Sequence, residues 1–268
     1  MTLQLRVATF NIRNSSADDG ADSWPSRRDI TVAAIEALDA DVVGLQEVLP
    51  DQLAYLRLRF PSYELVGVGR DDGAEAGEHS TVLVRPGAWA VESHETRWLS
   101  AEPDRPGSVG WDADLPRIAT LVRLRHADGT RIGVVNTHFD HVGDIARVES
   151  SRLLDQWLTA EPDRPWVLLG DLNAIPGSQT LRALTSTGWR DAVPPTAGGT
   201  EHSFTGATDR DRIDHILVGK AWQVAKAWIA HNRPDARLPS DHWPVVADLR
   251  LGQTRCQRSR KAPTERTR

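Results

Sequence analysis

Residues 166–174 read Trp-Val-Leu-Leu-Gly-Asp-Leu-Asn-Ala. Positions 167–169 are apolar throughout, and Gly170 and Asp171 interrupt the run before it reaches helical length. Such a run predicts a strand covered on both faces, with Asp171 and Asn173 delivered at its tip. Residues 42–47, Val-Val-Gly-Leu-Gln-Glu, have the same layout and end on Glu47. Working outward, short β-branched runs bounded by Gly, Pro, Asp or Asn predict further strands at 3–10, 63–69, 80–85, 117–125, 131–138, 212–218 and 245–251. Helical periodicity predicts helices at 27–38, 51–60, 144–159 and 178–187, with Ser26 and Asp144 as N-caps. In the first of these, Ile30, Ala33, Ala34 and Leu38 form one apolar stripe, and Arg13 and the Arg27–Arg28 pair read as surface residues. Many strands with few helices predict two packed sheets with helices outside.

A chain of 268 residues can bury a large core as one domain, expected over 1–251 and followed by a basic, disordered tail at 252–268. The single cysteine, Cys256, excludes an intrachain disulfide framework and a cysteine-based zinc site, which suits a cytoplasmic protein. No secretory signal is expected, and no run approaches the roughly 20 apolar residues of a membrane span. Six basic residues against one acidic residue give positions 253–268 a charge of +5, leaving −10 on the rest of a chain whose total is −5. An acidic body grips long polyanions poorly.

The polar residues fall at strand ends. Asn11 follows the first strand, Glu47 closes the second long run, and His138 ends Val-Val-Asn-Thr-His. Asp171 and Asn173 follow Val-Leu-Leu-Gly, Asp214 lies in Arg-Ile-Asp-His-Ile, and Asp241 and His242 precede the last strand. One Asp at a strand end is ordinarily a turn residue. So many carboxylates together are costly unless a cation or mutual hydrogen bonds offset the charge. Carboxylates and amides without thiolates suit a hard ion such as magnesium, manganese or calcium. Two histidines beside carboxylates predict Asp–His pairs, in which the carboxylate raises the pKa of the ring.

The ordered strings Ala-Thr-Phe-Asn-Ile-Arg (8–13), Val-Gly-Leu-Gln-Glu-Val (43–48), Asn-Thr-His-Phe-Asp-His (136–141), Leu-Gly-Asp-Leu-Asn-Ala (169–174), Arg-Ile-Asp-His-Ile (212–216) and Ser-Asp-His-Trp-Pro-Val (240–245) resemble the motifs of the endonuclease/exonuclease/phosphatase superfamily, whose members include deoxyribonuclease-I-like nucleases. Residues 70–117 resemble a bacterial subgroup distantly related to the deadenylase branch. The resemblance implies an α+β fold, a four-layer α/β/β/α sandwich of two packed, mostly antiparallel β-sheets flanked by helices. It implies a Mg²⁺-dependent hydrolase acting on phosphoric ester bonds by in-line attack of an activated water, with Mn²⁺ as the alternative ion. Glu47 would be the principal metal ligand, with Asn11 and Asp241 beside it. Asp171 would activate the water, helped by Asn173. His242, oriented by Asp214, and His138, supported by Glu78, would contact the phosphate.

Substrate specificity is less legible. Arg70, Trp98, Trp111, Arg117 and Asp140 are candidate pocket walls, since Arg grips phosphate bidentately and Trp stacks on sugars or bases. Three functions compete: a phosphodiesterase or phosphatase for a phosphorylated small molecule, a DNA or RNA nuclease, and a non-catalytic binding module. The acidic body favours the first, as a monomer.

Overall fold

The computed structural model describes residues 3–252; residues 253–268, nearly all of the expected basic tail, lie outside them. Two six-stranded sheets pack face to face. One has the order β11-β12-β1-β2-β4-β3, from β1 (Gln4–Asn11), β2 (Val42–Val48), β3 (Glu64–Val66), β4 (His79–Val84), β11 (Trp222–Ile229) and β12 (Val245–Leu251). The other has the order β5-β6-β7-β8-β10-β9, from β5 (Trp89–Trp98), β6 (Ile118–His126), β7 (Arg131–His138), β8 (Trp166–Asp171), β9 (Arg190–Asp191) and β10 (Asp214–Val218). Among the described residues only β1–β2 and β7–β8 pair in parallel. The mostly antiparallel sandwich is therefore as expected.

The apolar runs alternate between two environments. Val42 and Val167 point into the layer between the sheets, with Val7, Val82, Val122, Val134 and Ile216. Val43 and Leu45 point outward, against α1 (Trp24–Ala37) and α2 (Pro50–Arg59). Leu168 points outward against α3 (Asp144–Thr159) and α4 (Gln179–Thr185). Each central strand is thus buried on both faces, which is why its sequence is continuously apolar.

Two helix N-caps differ from expectation. Helix α1 begins at Trp24 after Ser23, not Ser26, because Pro25 fits the first turn, where its missing N–H costs nothing. Asp144 is the first residue of α3, not its cap. The Asp112 carboxylate, from a distant loop, accepts from Ile145 N–H and Ala146 N–H instead. Ser178 does cap α4, accepting from Leu181 N–H. Strands β5, β9 and β11 were not anticipated; each is at a sheet edge, where one side is free of partners and the apolar signal fades.

Between the sheets the filling turns polar toward the end where the strand tips gather. Asn136 of β7 is fully buried and crosses to the opposite sheet, donating to Leu45 O at 2.8 Å and Thr81 O at 2.9 Å. Its Oδ1 accepts from Gln46 Nε2 at 2.6 Å. Gly44 makes room: a Cβ there would lie 2.6 Å from Asn136 Oδ1. Asn136→Ala leaves two carbonyls unpaired in a dry layer. It is expected to cost about 3 kcal/mol in urea denaturation, and a loss below about 1 kcal/mol would contradict this role.

Candidate active site

Strand direction brings the polar residues to one rim. Strands β7 and β8 are parallel, and His138 stands beside Asp171; β10 is antiparallel to β8, and Asp214 stands beside Asp171 on the other side. In the facing sheet Asn11 is opposite Gln46, which places it next to Glu47. Asp241 and His242 precede β12, which runs antiparallel to β1, so they reach the same rim. Glu47 lies in a bulge at φ 63°, and Asn173 has φ 45°. Such left-handed backbone is costly for non-glycine residues and is held here by the surrounding bonds.

The Asn11 amide ties the set together. Its Nδ2 donates to Glu47 Oε1 at 2.9 Å and to Asp171 Oδ2 at 3.0 Å, so one side chain links carboxylates of the two sheets. The second Glu47 oxygen accepts from Asn14 N–H at 2.9 Å and Asn14 Nδ2 at 2.8 Å. Asn173 N–H donates to Asp171 Oδ1 at 3.0 Å, and Asn173 Nδ2 donates to His138 Nε2 at 3.1 Å. His138 Nε2 is 3.6 Å from Asp171 Oδ2, and His138 Nδ1, otherwise unpartnered, is 4.0 Å from Glu78 Oε2. His242 Nδ1 donates to Asp214 Oδ2 at 2.8 Å. Glu47, Glu78, Arg117, His138, Asp171, Asn173, Asp241 and His242 line one cavity of about 500 Å³, with Arg13, His141, Glu201 and Phe204 in its walls. Asn11 and Asp214 lie behind it.

Burial and the Asp214 charge push the Asp171 carboxyl up to about 7, against the pull of His242 and Asn11. Burial opposes a charged His242, but Asp214, Asp241 and Asp171 outweigh it and raise its pKa well above the usual value, giving an imidazolium. Burial and then Arg117 lower His138, which is neutral. Burial and Glu47 raise Asp241, despite His242 and Arg13. Burial works against an ionised Glu47, but hydrogen bonds from Asn11 and Asn14 and the charge on His242 hold its carboxyl low.

Two acidic groupings could hold a cation. Ligand atoms of Asp171, Asp214 and His242 lie within 4.8 Å of one another. There, however, the imidazolium already supplies a positive charge and its Nδ1 is spent on Asp214. Glu47 and Asp241 form the other grouping, an all-oxygen wall on which Glu47 raises the Asp241 pKa. An oxygen set of this kind fits a hard divalent ion.

Not every sequence candidate reaches the cavity. Trp98 is buried behind it, its Nε1 donating to Arg70 O at 2.6 Å, so packing takes the ring that stacking would need. Arg70 lies one layer back, bonded to Glu78. Trp111 is exposed at φ 53° away from the lining, and Asp140 is buried beneath Arg117. Phe204 and Asn14 were missed. Phe204 follows Ser203, both at positive φ, a loop conformation with no local signal.

Arg27, read as a surface residue, is fully buried. Burial lowers its pKa to about 10, so it stays charged at neutral pH. It donates only to main-chain carbonyls: Nε to Asp22 at 2.9 Å, Nη1 to Ile12 at 2.6 Å and Pro239 at 3.3 Å, and Nη2 to Arg13 at 2.7 Å. These bonds lock the segment after Asn11 to the loop carrying Asp241. The signal was present: Arg27 is three residues before Ile30, on the apolar stripe. Arg27→Met is expected to weaken Mn²⁺ binding at least ~5-fold by calorimetric titration, and Arg27→Lys, lacking the planar fork, to recover little. Unchanged Mn²⁺ affinity in both variants would contradict this positioning.

The comparisons with known proteins agree with this geometry. A profile of the Endonuclease/Exonuclease/phosphatase family matches residues 8–242. A structure of an endonuclease/exonuclease/phosphatase from Bacteroides vulgatus is 38% identical, with a TM-score of 0.87 over 93% of this chain and 99% of that one. A Bacteroides thetaiotaomicron mannosyl-6-phosphatase is 33% identical, with a TM-score of 0.85 over 91% and 99%. Zebrafish (D. rerio) TDP2 complexed with a single-stranded DNA product shares the fold at 17% identity, with a TM-score of 0.72 over 92% and 98%. A curated protein of Acanthamoeba polyphaga mimivirus is 28% identical over 161 residues, which span 56% of this chain and 59% of that protein. With its motifs gathered at one rim of the sandwich and its family profile matched almost from end to end, the chain belongs to the endonuclease/exonuclease/phosphatase family.

Proposed function

We propose that this protein is a Mg²⁺-dependent phosphoester hydrolase acting on a small phosphorylated substrate. One observation carries the reading: an acidic wall, a raised carboxyl and an imidazolium share one cavity. Glu47 and Asp241 would hold the cation, with Asn11 orienting Glu47. Bound there, Mg²⁺ or Mn²⁺ supplies positive charge and Lewis acidity toward a phosphoryl oxygen. Asp171, fixed by Asn11 and Asn173, is poised to take a proton from water near neutral pH. His242, held charged by Asp214, donates to an oxygen that gains charge in the transition state. His138 and Asn173, bonded to each other and uncharged, line the cavity beside the same group. No covalent enzyme intermediate is needed.

A small substrate fits the surroundings better than a nucleic acid. Beyond Asn173, Glu201 and Ile213 the cavity opens into a second of about 590 Å³, walled by Asp144, Glu201 and Asp211 against Arg147 alone. A phosphodiester chain running through it would meet like charge. The similarity to a mannosyl-6-phosphatase also favours a small phosphorylated compound. Among the described residues no helix is long and apolar enough to cross a membrane. We infer a cytoplasmic monomer.

Purified protein with Mg²⁺ is expected to release nitrophenol from p-nitrophenyl phosphate or its bis ester and to leave supercoiled DNA intact. EDTA should abolish release. Asp171→Asn and His242→Ala should each lose at least ~10²-fold in turnover with unchanged circular dichroism. Near-normal turnover in either variant would overturn the assignment, and nicking of DNA would favour a nuclease.

A further inference from the structure

We propose that Arg117 reads the second negative charge of a phosphate monoester, so that the cavity selects monoesters over diesters. This rests on the hydrolase reading above. Arg117 immediately precedes β6, follows Pro116, and has only 5% of its surface exposed, yet it lines the cavity. Its Nε donates to Asp140 Oδ2 at 3.3 Å, and its Nη2 donates to His141 Nδ1 at 3.1 Å. Among the described residues its third nitrogen, Nη1, has no hydrogen-bond partner. The guanidinium therefore meets a carboxylate through one nitrogen only.

That carboxylate is itself heavily used. Asp140 Oδ1 accepts from Val142 N–H at 3.0 Å and Gly143 N–H at 2.8 Å, and Oδ2 accepts from Leu115 N–H at 3.4 Å. Arg13, the other guanidinium in the cavity wall, is the contrast. It meets both Asp19 oxygens, at 3.0 and 3.1 Å, and lies 3.6 Å from Asp241. Its fork is spent on one carboxylate, whereas Arg117 reaches Asp140 through Nε alone and keeps Nη1 without a partner among the described residues. Burial lowers the Arg117 pKa, and so does nearby Arg70, against the pull of Glu78 and Asp140. An anion at this wall would relieve that repulsion.

Glu47 and Asp241 are the carboxylates proposed to hold the cation, and Arg117 stands beside His138 and Glu78 in the adjoining wall. A monoester above pH of about 6 carries two charges and three terminal oxygens. A diester carries one charge and bears a carbon substituent on what would be the third terminal oxygen. A buried, pre-formed guanidinium fork rewards the extra oxygen and charge. In the reaction the oxygen of water joins phosphorus and its proton passes to Asp171. The P–O bond to the alcohol breaks, and its electron pair leaves with the alkoxide, which takes up a proton. The products are inorganic phosphate and an alcohol.

The test compares p-nitrophenyl phosphate with bis-p-nitrophenyl phosphate, using the full chain with Mg²⁺. Wild-type protein is expected to favour the monoester by at least ~10²-fold in kcat/KM, with KM rising below pH of about 6 as the substrate loses its second charge. Arg117→Met should lose at least ~30-fold on the monoester, mainly through KM, and less than ~3-fold on the diester. Its KM should no longer follow that substrate ionisation. Arg117→Lys keeps the salt partner of Asp140 and should recover part of the monoester preference. A residue that only ties the loop to Asp140 would lower both activities alike. Equal loss on both esters in both variants, or a wild type that cleaves the diester as well as the monoester, would overturn the proposal. If wild type cleaves neither ester with Mg²⁺ or Mn²⁺, the hydrolase reading itself falls.

Discussion

One carboxamide holds the two halves of this site in register. Asn11, at the tip of β1, gives one amide hydrogen to Glu47 in its own sheet and the other to Asp171 in the opposite sheet. Both carboxylates sit in low dielectric, where mutual repulsion would drive them apart or protonate one. The neutral donor between them fixes their separation without adding charge. Asn136 does similar work deeper in the sandwich, crossing from β7 to Leu45 and Thr81. The sheets are joined by polar side chains near the rim and by valines and leucines below it.

From that constraint the charge pattern follows. Asp171 is buried and flanked by Asp214 and by an imidazolium, and its carboxyl is pushed up to about 7, which suits the proposed role of taking a proton from water. Glu47 and Asp241 collect negative charge on an all-oxygen wall, and Arg27 pins the segment after Asn11 to the loop that carries Asp241. Arg27 bonds only carbonyls, so it fixes geometry without consuming any acidic group of the site. The left-handed residues Glu47, Asn173 and Phe204 face the same cavity; strain has accumulated where side chains must point out of a strand or loop.

The core strands and the residues at their tips were legible because burial on both faces writes a continuous apolar run that a polar residue must end. Val42 and Val43, facing opposite layers, show this directly. Of the four edge strands only β3 was legible: β5 and β11 each have a ladder neighbour on one side only, and their exposed Glu, Lys and Gln residues hide the period. Arg27 carried a misleading identity, since a guanidinium is ordinarily solvated and its burial depends on carbonyls distant in sequence. Trp98 and Arg70, expected as cavity walls, lie one layer behind them, because sequence order gives proximity without depth.

The central claim is that a divalent cation binds the Glu47–Asp241 wall, opposite the Asp214–His242 pair. Anomalous diffraction from crystals soaked in Mn²⁺ tests it most directly. The account predicts a single strong peak within about 2.3 Å of a Glu47 carboxylate oxygen, on the Asp241 side of the cavity. A peak seated instead among Asp171, Asp214 and His242, or none in the cavity, would contradict it.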